Sequence, residues 1–337
     1  MKLFRQILIS TVSFILLGVM LASCTAGKKP ETTETPGTTE APGTEAVVTT
    51  TAKTEDKTPV ADTKWVSAIF SGGPVNYTGT LGTTVHEDLK NSGFNTLIIW
   101  SVHIHDDGSL WLNDKLAAKD GEFCLARRSK KDKFAWEDIK GEGSSITRIE
   151  LSIGAWGCND FEAIRDIMNR DGDGEDTILY KNFKALIDAT KADAINYDDE
   201  SCYDAASMIR FGKMCVKMGC KVTLCPYTNI SVWKQVKVGL RNNCDRIYVQ
   251  CYDGGAGNVN NLGSWANEFG MPVIPGYWCL HNGTAGDAAS SVKTKLKSAG
   301  ESATGAFMWL YDDMRLLTGS NDTASYAKAI NSCNPER

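Results

Sequence analysis

No Cys-x-x-Cys pair occurs among the eleven cysteines of the chain, which argues against a zinc knuckle. No glycine-rich phosphate loop opens a first helix, which argues against a nucleotide-binding doubly wound sheet. Positive charge is not in excess. The formal net charge is −5, and loss of Lys2 and Arg5 with the first 23 residues takes it to −7. Nucleic acid is therefore not an expected partner. The apolar run Ile7 to Leu21 is too short and wrongly flanked for a comfortable membrane span. Between Thr25 and Lys64 there is no aromatic residue and almost no large aliphatic one. Such a stretch cannot bury enough surface to offset chain entropy, so it reads as disordered.

What is present divides the chain into three parts. Residues 1–23 carry a charged start (Lys2, Arg5), an apolar run and Leu21-Ala22-Ser23 before Cys24. This order matches a bacterial lipoprotein signal peptide, cut before a lipidated Cys24. An ordinary secretory signal with a chance cysteine is the alternative. Residues 24–64, rich in Thr, Pro and Glu, form a linker that tethers the rest of the chain. The expected location is the outer face of a bacterial membrane, lipid-anchored at Cys24. Residues 65–337 form one globular domain. The ten cysteines other than Cys24 can form disulfides outside the cytoplasm or act as small apolar core residues.

The domain alternates short apolar strands with amphipathic helices. Strands are expected at Trp65–Phe70, Asn95–Val102, Arg148–Ile153, Ala194–Asp198, Lys221–Pro226, Arg246–Tyr252, Pro272–Tyr277 and Gly305–Tyr311. A helical pattern follows most of them, and a long polar region, His103 to Ser145, follows the second. Eight such units imply a parallel sheet covered on both faces, closed as an α/β (β/α)₈ TIM barrel. A doubly wound open sheet is the alternative.

The fourth strand carries the most informative stretch, Asp193-Ala-Ile-Asn-Tyr-Asp-Asp-Glu200. Side chains on a strand alternate, so Asn196, Asp198 and Glu200 share one face, and Ile195 and Tyr197 the other. Crowded carboxylates raise one another's pKa, as a general acid at neutral pH requires. A solvated acidic strand end is the plainer reading. Barrel enzymes place their chemistry at the C-terminal strand ends. Those ends supply Trp100, Trp156, Tyr227, Gln250, Tyr252, Asp253, Trp278 and Trp309. Aromatic rings around carboxylates and an amide suit sugar rings, whose flat faces stack and whose hydroxyls accept and donate hydrogen bonds. His103, His105 and Asp106 could hold a metal but read as solvated loop residues. Asp171-Gly-Asp-Gly-Glu-Asp176 resembles half a calcium loop but reads as a polar turn. No metal and no cofactor is expected.

The ordered motifs resemble glycoside hydrolase family 18, the chitinases and endo-β-N-acetylglucosaminidases. Asp193, Asn196, Asp198 and Glu200 fall on the four acidic positions of that family's strand-four motif. Ser152-Ile-Gly-Ala-Trp156 resembles its strand-three signature, Gln250-Cys-Tyr-Asp253 its strand six, and Gly305-Ala-Phe-Met-Trp309 its strand eight. The resemblance covers about Trp65 to Asn331. It implies substrate-assisted retaining hydrolysis of β-1,4-linked N-acetylglucosamine, in chitin-type oligomers or an N-glycan core. Glu200 would be the acid, Asp198 would orient the N-acetyl group, Tyr252 would bind its carbonyl oxygen, and Trp309 would floor the sugar. Asn196, Gln250, Asp253, Trp100, Trp156, Tyr227 and Trp278 would contact substrate. Ala194 and Ala155 replace family glycines, and Asn196 replaces an aspartate. The expectations at Asn196 are a hydrogen bond to Asp198, an Asp198 that ionises more readily, and a tolerated return to Asp. A non-catalytic glycan-binding barrel and a hydrolase of another glycan remain alternatives, and the domain is expected to act as a monomer.

Overall fold

The computed structural model describes residues 65–72, 77, 79–125, 136–281 and 284–336. The signal peptide, Cys24 and the linker lie outside the described residues. Eight parallel strands form the central sheet: β1 Val66–Ser71, β2 Thr96–Ile104, β3 Arg148–Ile153, β4 Ala194–Tyr197, β5 Lys221–Leu224, β6 Cys244–Gln250, β7 Ile274–Trp278 and β8 Gly305–Trp309. Each pairs with its sequence neighbours, and β1 pairs with both β2 and β8, which closes the sheet into a barrel. The helices α1 Gly79–Asn91, α2 Asp160–Asp171, α3 Ile178–Thr190, α4 Ala205–Lys217, α5 Ile230–Leu240, α6 Leu262–Phe269 and α7 Ala289–Ala299 lie between strands, and α8 Tyr311–Met314 and α9 Thr323–Asn331 follow β8. This is a (β/α)₈ barrel.

Local chemistry sets the helix starts. The Asp204 carboxylate accepts from the backbone N–H groups of Ala206 and Ser207 and caps α4. Met208, Phe211, Met214 and Cys215 then form the buried stripe of that helix. Thr177 and Asp322 cap α3 and α9 in the same way.

The segment after β2 departs from the expected strand-then-helix pattern. β2 runs on to Ile104 and continues into an antiparallel meander of Leu110–Leu112, Lys115–Lys119 and Glu122–Phe123. A 3₁₀ turn, Trp136–Lys140, is the only helical element described between β2 and β3. The reason lies in the turn residues of the region read as polar. Gly108, Asn113, Asp120 and Gly121 all have positive φ, and they separate the buried residues Leu110, Leu112, Ala117 and Ala118. The third unit then has two helices, α2 and α3, and the Asn182 amide of α3 grips this meander at Gly108 O and Gly121 N.

Alternation along the strands builds two different layers. On β4, Ile195 and Tyr197 point outward to the helices. The Tyr197 ring packs on Phe161 and Phe211, and its hydroxyl donates to Met208 O at 3.2 Å. The inward side is partly apolar, around Ala68, Phe70, Ile98 and Phe307. It is also strongly polar. Glu150, wholly buried, accepts from Arg148 Nε at 2.8 Å, Tyr248 OH at 2.8 Å and Thr223 Oγ1 at 2.6 Å. Arg246 reaches the same carboxylate and also donates to Thr96 Oγ1, while Arg148 makes a two-pronged bond to Asp245. A buried charge is tolerated only with this degree of pairing.

Glu150→Ala would leave two arginines, Tyr248 and Thr223 facing an uncompensated gap inside the barrel. We expect it to destabilise the domain by about 3–5 kcal/mol, read from urea denaturation. A loss below about 1 kcal/mol, the size of one ordinary hydrogen bond, would contradict this account of the barrel interior.

Candidate active site

The site grows from the C-terminal end of β4. Asp198 N donates to Ile153 O at 2.9 Å, which carries the β3–β4 ladder one residue beyond the strand. β3 can lie this close because residue 154 is glycine. Its φ is +88°, and a Cβ there would meet Asp198 O at 2.5 Å. This gives a physical reason for the glycine of Ser152-Ile-Gly154. The buried carboxylate of Asp199 then turns the chain by accepting from the backbone N–H groups of Ser201, Cys202 and Tyr203 at 3.1, 2.9 and 2.7 Å. Asp199 therefore ties down the loop that holds Glu200.

Gln250, the last residue of β6, joins the two remaining acids. Its Nε2 donates to Asp198 Oδ1 at 2.9 Å, lies 3.4 Å from Glu200 Oε1, and donates to Cys225 O at 3.1 Å. Its backbone is fixed in turn, since Asn258 Nδ2 donates to Gln250 O. Asp198 is only 4% exposed. Burial, with the charges of Glu200 and Asp199 beside it, raises its pKa well above the usual carboxylate range. Burial also raises that of Glu200, with the Gln250 hydrogen bond pulling the other way and the charges of Asp199 and Asp253 adding to the rise. The expectation that Asp198 would ionise more readily is therefore corrected. Burial is the largest influence on Asp198, ahead of the charges of Glu200 and Asp199, and the pKa of both Asp198 and Glu200 is raised.

Aromatic rings lie beside this pair. Tyr252 stacks on Trp278 with centroids 5.9 Å apart and interplanar angle 15°, and it meets Trp309 at 6.3 Å. Trp309 in turn meets Trp100 edge-on at 4.9 Å. Burial and the charges of Asp198 and Glu200 push the Tyr252 phenol well above its usual pKa, so it stays neutral and can donate a hydrogen bond. Trp100 Nε1 is a buried donor with no partner. Tyr227 is half-buried, with its ring against Gly254 and its Cβ against Gly255. Asp253 is exposed and has a positive φ. Trp156 stands 85% exposed on the loop after β3.

Asn196 lies beneath the site rather than in it. It is wholly buried. Its Oδ1 accepts from Ser152 Oγ at 3.0 Å and its Nδ2 donates to Thr223 Oγ1 at 2.9 Å. The hydrogen bond expected from Asn196 to Asp198 is thus made instead by Gln250. His103 is not a solvated loop residue. It lies in β2, half-buried, with Nδ1 3.0 Å from Asp160 Oδ2. His105 is exposed and stacks on Trp111. In the Asp171–Asp176 turn, Asp171 pairs with Arg170 and Asp173 with Arg210. All ten cysteines of the domain are free, six of them buried. Sequence reasoning missed the support under the site, from Arg148, Glu150, Thr223 and Arg246. The alternation Arg148, Glu150, Ser152 along β3 was the available signal.

Comparison with solved structures places this architecture. The domain superposes on a Group IV chitinase of Ostrinia furnacalis with TM-score 0.56 and 12% identity, over 80% of this chain and 99% of that one. A chitinase from Bacteroides thetaiotaomicron gives 0.54 and 10%, over 81% and 97%. The GH18 chitinase ChiB of Flavobacterium johnsoniae gives 0.50 and 11%, over 80% and 94%. The fold is that of GH18 chitinases. No family model and no curated protein matches the sequence. Within this barrel, the Asp198–Glu200 pair lies where barrels carry their chemistry, at the C-terminal ends of the strands.

The fixed amide of Asn196 changes the expected effect of Asn196→Asp. Thr223 gives its only hydroxyl proton to Glu150, so the new carboxylate would meet a lone pair where the amide now donates. We expect a loss of about 1–3 kcal/mol at neutral pH. A carboxyl buried this way has a folded pKa above its unfolded one, so the loss should shrink as pH falls towards the ordinary carboxylate range and grow as pH rises. Urea midpoints of variant and wild type at acidic and neutral pH test this. A variant as stable as wild type at neutral pH would contradict it.

Proposed function

We propose that this protein is a glycoside hydrolase of the GH18 kind, cleaving β-1,4-linked N-acetylglucosamine glycans by substrate-assisted retention. One observation carries the reading: a largely buried Asp198–Glu200 pair, bridged by Gln250, beside the rings of Tyr252, Trp278 and Trp309. Glu200, partly accessible and with a raised pKa, is the proton donor to the leaving glycosidic oxygen. The substrate's own N-acetyl oxygen attacks the anomeric carbon, as in the substrate-assisted exceptions to the two-carboxylate scheme. Asp198 orients the N-acetyl group and stabilises the cationic oxazolinium as it forms, and the Tyr252 hydroxyl binds the acetamide oxygen. Glu200, left ionised, then draws a proton from the water that opens the ring. Trp309 forms the sugar floor, with Trp100, Trp278 and Tyr227 as further walls, and Trp156, exposed on the loop after β3, is a further candidate contact. Lipidation at Cys24 would hold the domain outside the cell membrane, with surface glycans or glycoproteins as substrate.

A glycan-binding barrel without turnover is the second reading. It is favoured by Asn196, whose amide is held by Ser152 and Thr223 and cannot pass a proton to Asp198.

Wild type and Glu200→Gln should be compared on chitin oligomers and on an N-glycoprotein. Hydrolysis should fall ~10²–10⁴-fold in the variant, with glycan affinity kept. Equal turnover would remove Glu200 from its role. Binding without cleavage by wild type would establish the second reading.

A further inference from the structure

We propose that His103, Cys158 and Asp160 form a binding site for a zinc-class divalent cation beside the carboxylate pair. The three side chains come from β2, the loop after β3 and the first residue of α2, and one donor atom of each lies within 4.8 Å of the others. His103 Nδ1 and Asp160 Oδ2 face each other at 3.0 Å. Tetrahedral zinc holds such atoms about 2.0–2.2 Å from the ion, which sets them a little over 3 Å apart. Closing the site on an ion therefore asks most of Cys158, the thiol on the loop.

The outer contacts are those that metal ligands have. The second atom of each ring or carboxylate already has a partner on β2. His103 Nε2 lies 3.0 Å from Ser101 Oγ, and Asp160 Oδ1 accepts from Ile104 N at 2.8 Å. Partners of this kind fix the tautomer of a ligating histidine and the rotamer of a ligating carboxylate. They leave Nδ1 and Oδ2 as the inward-facing atoms. Ser101 is fully buried and Asp160 is 5% exposed, so the half-site is rigid. A hydrogen-bonded His–Asp pair alone accounts for two of the three residues but gives the thiol no part.

The donor set selects the ion. One imidazole nitrogen, one thiolate and one carboxylate oxygen suit zinc or cobalt rather than calcium or magnesium, which take oxygen ligands. Three protein ligands leave a fourth position for water. On binding, the Cys158 thiol gives up its proton to solvent, and His103 binds as the neutral imidazole through Nδ1 with its one ring proton on Nε2, facing Ser101 Oγ. The position is close to the proposed chemistry, because Ser201, the residue after Glu200, donates from Oγ to Cys158 O at 3.0 Å. The inference does not depend on the hydrolase reading, since binding can be measured on a protein that cleaves nothing.

The test is titration of the protein with Co²⁺, followed by absorbance and then by competition with Zn²⁺. One equivalent should give a thiolate-to-cobalt charge-transfer band and the visible bands of four-coordinate cobalt, and Zn²⁺ should remove both. Cys158→Ser should abolish the charge-transfer band. Ser101→Ala, which removes only an outer partner, should weaken zinc binding by about 10–100-fold. Each variant's melting temperature without metal controls for folding. Should Cys158→Ser fail to fold, wild-type protein serves: Zn²⁺ should protect Cys158 from iodoacetamide, read by peptide mass, while exposed Cys124 stays reactive. No charge-transfer band, a band that survives Cys158→Ser, or Cys158 alkylation unaffected by zinc would overturn the proposal.

Discussion

Asp198, Asp199 and Glu200 are consecutive acids at one mouth of a barrel, and the first two are almost wholly buried. Like charges at that depth repel strongly and lose their hydration, so the structure tolerates them only if each is separately accommodated. Asp199 is accommodated by three backbone N–H groups. Asp198 and Glu200 are accommodated by the Gln250 amide, and burial with mutual repulsion raises the pKa of both. Much of the surrounding architecture serves this arrangement. Gly154 lets β3 approach Asp198 O, Asn258 fixes the Gln250 backbone, and the loop after β4 is turned by Asp199 itself.

A second polar group lies deeper in the barrel, centred on Glu150 and its arginines. Asn196 belongs to that group through Thr223, although its sequence position belongs to the acidic motif of β4. An aspartate at position 196 would add a third inward acid near Asp198 and a second near Glu150. The amide instead donates towards Thr223 and accepts from Ser152, and it joins the two layers without adding charge. This gives a physical account of the departure from the acidic pattern, and it explains why Gln250 rather than residue 196 contacts Asp198.

The barrel was legible in the sequence because its signals are local. Apolar runs such as Thr96–Ile99 and Val222–Leu224, buried on both sides, alternate with amphipathic helices, and each signal spans only a few residues. The expected bounds of β3, Arg148–Ile153, agree with the structure to the residue. The meander after β2 was not legible, because its strands are short and lie between charged residues, and only the turn residues Gly108, Asn113 and Gly121 gave them away. In the site, the shared face of Asn196, Asp198 and Glu200 followed from period-two alternation. The partners did not. That Gln250 bridges two acids, that Thr223 takes up Asn196, and that Asp160 meets His103 are contacts between residues 27 to 57 positions apart. Alternation gives the face of a side chain, whereas its neighbour across the barrel depends on closure and register.

The central claim is that burial and mutual repulsion raise the pKa of both Asp198 and Glu200 above the ordinary carboxylate range. The direct measurement is a pH titration by carboxyl ¹³C NMR of labelled protein, with the two resonances assigned by their loss in Asp198→Asn and Glu200→Gln. The account predicts that both groups titrate above the ordinary carboxylate values of about 3.9 and 4.3, in two coupled steps. Two independent titrations at the ordinary values would contradict it.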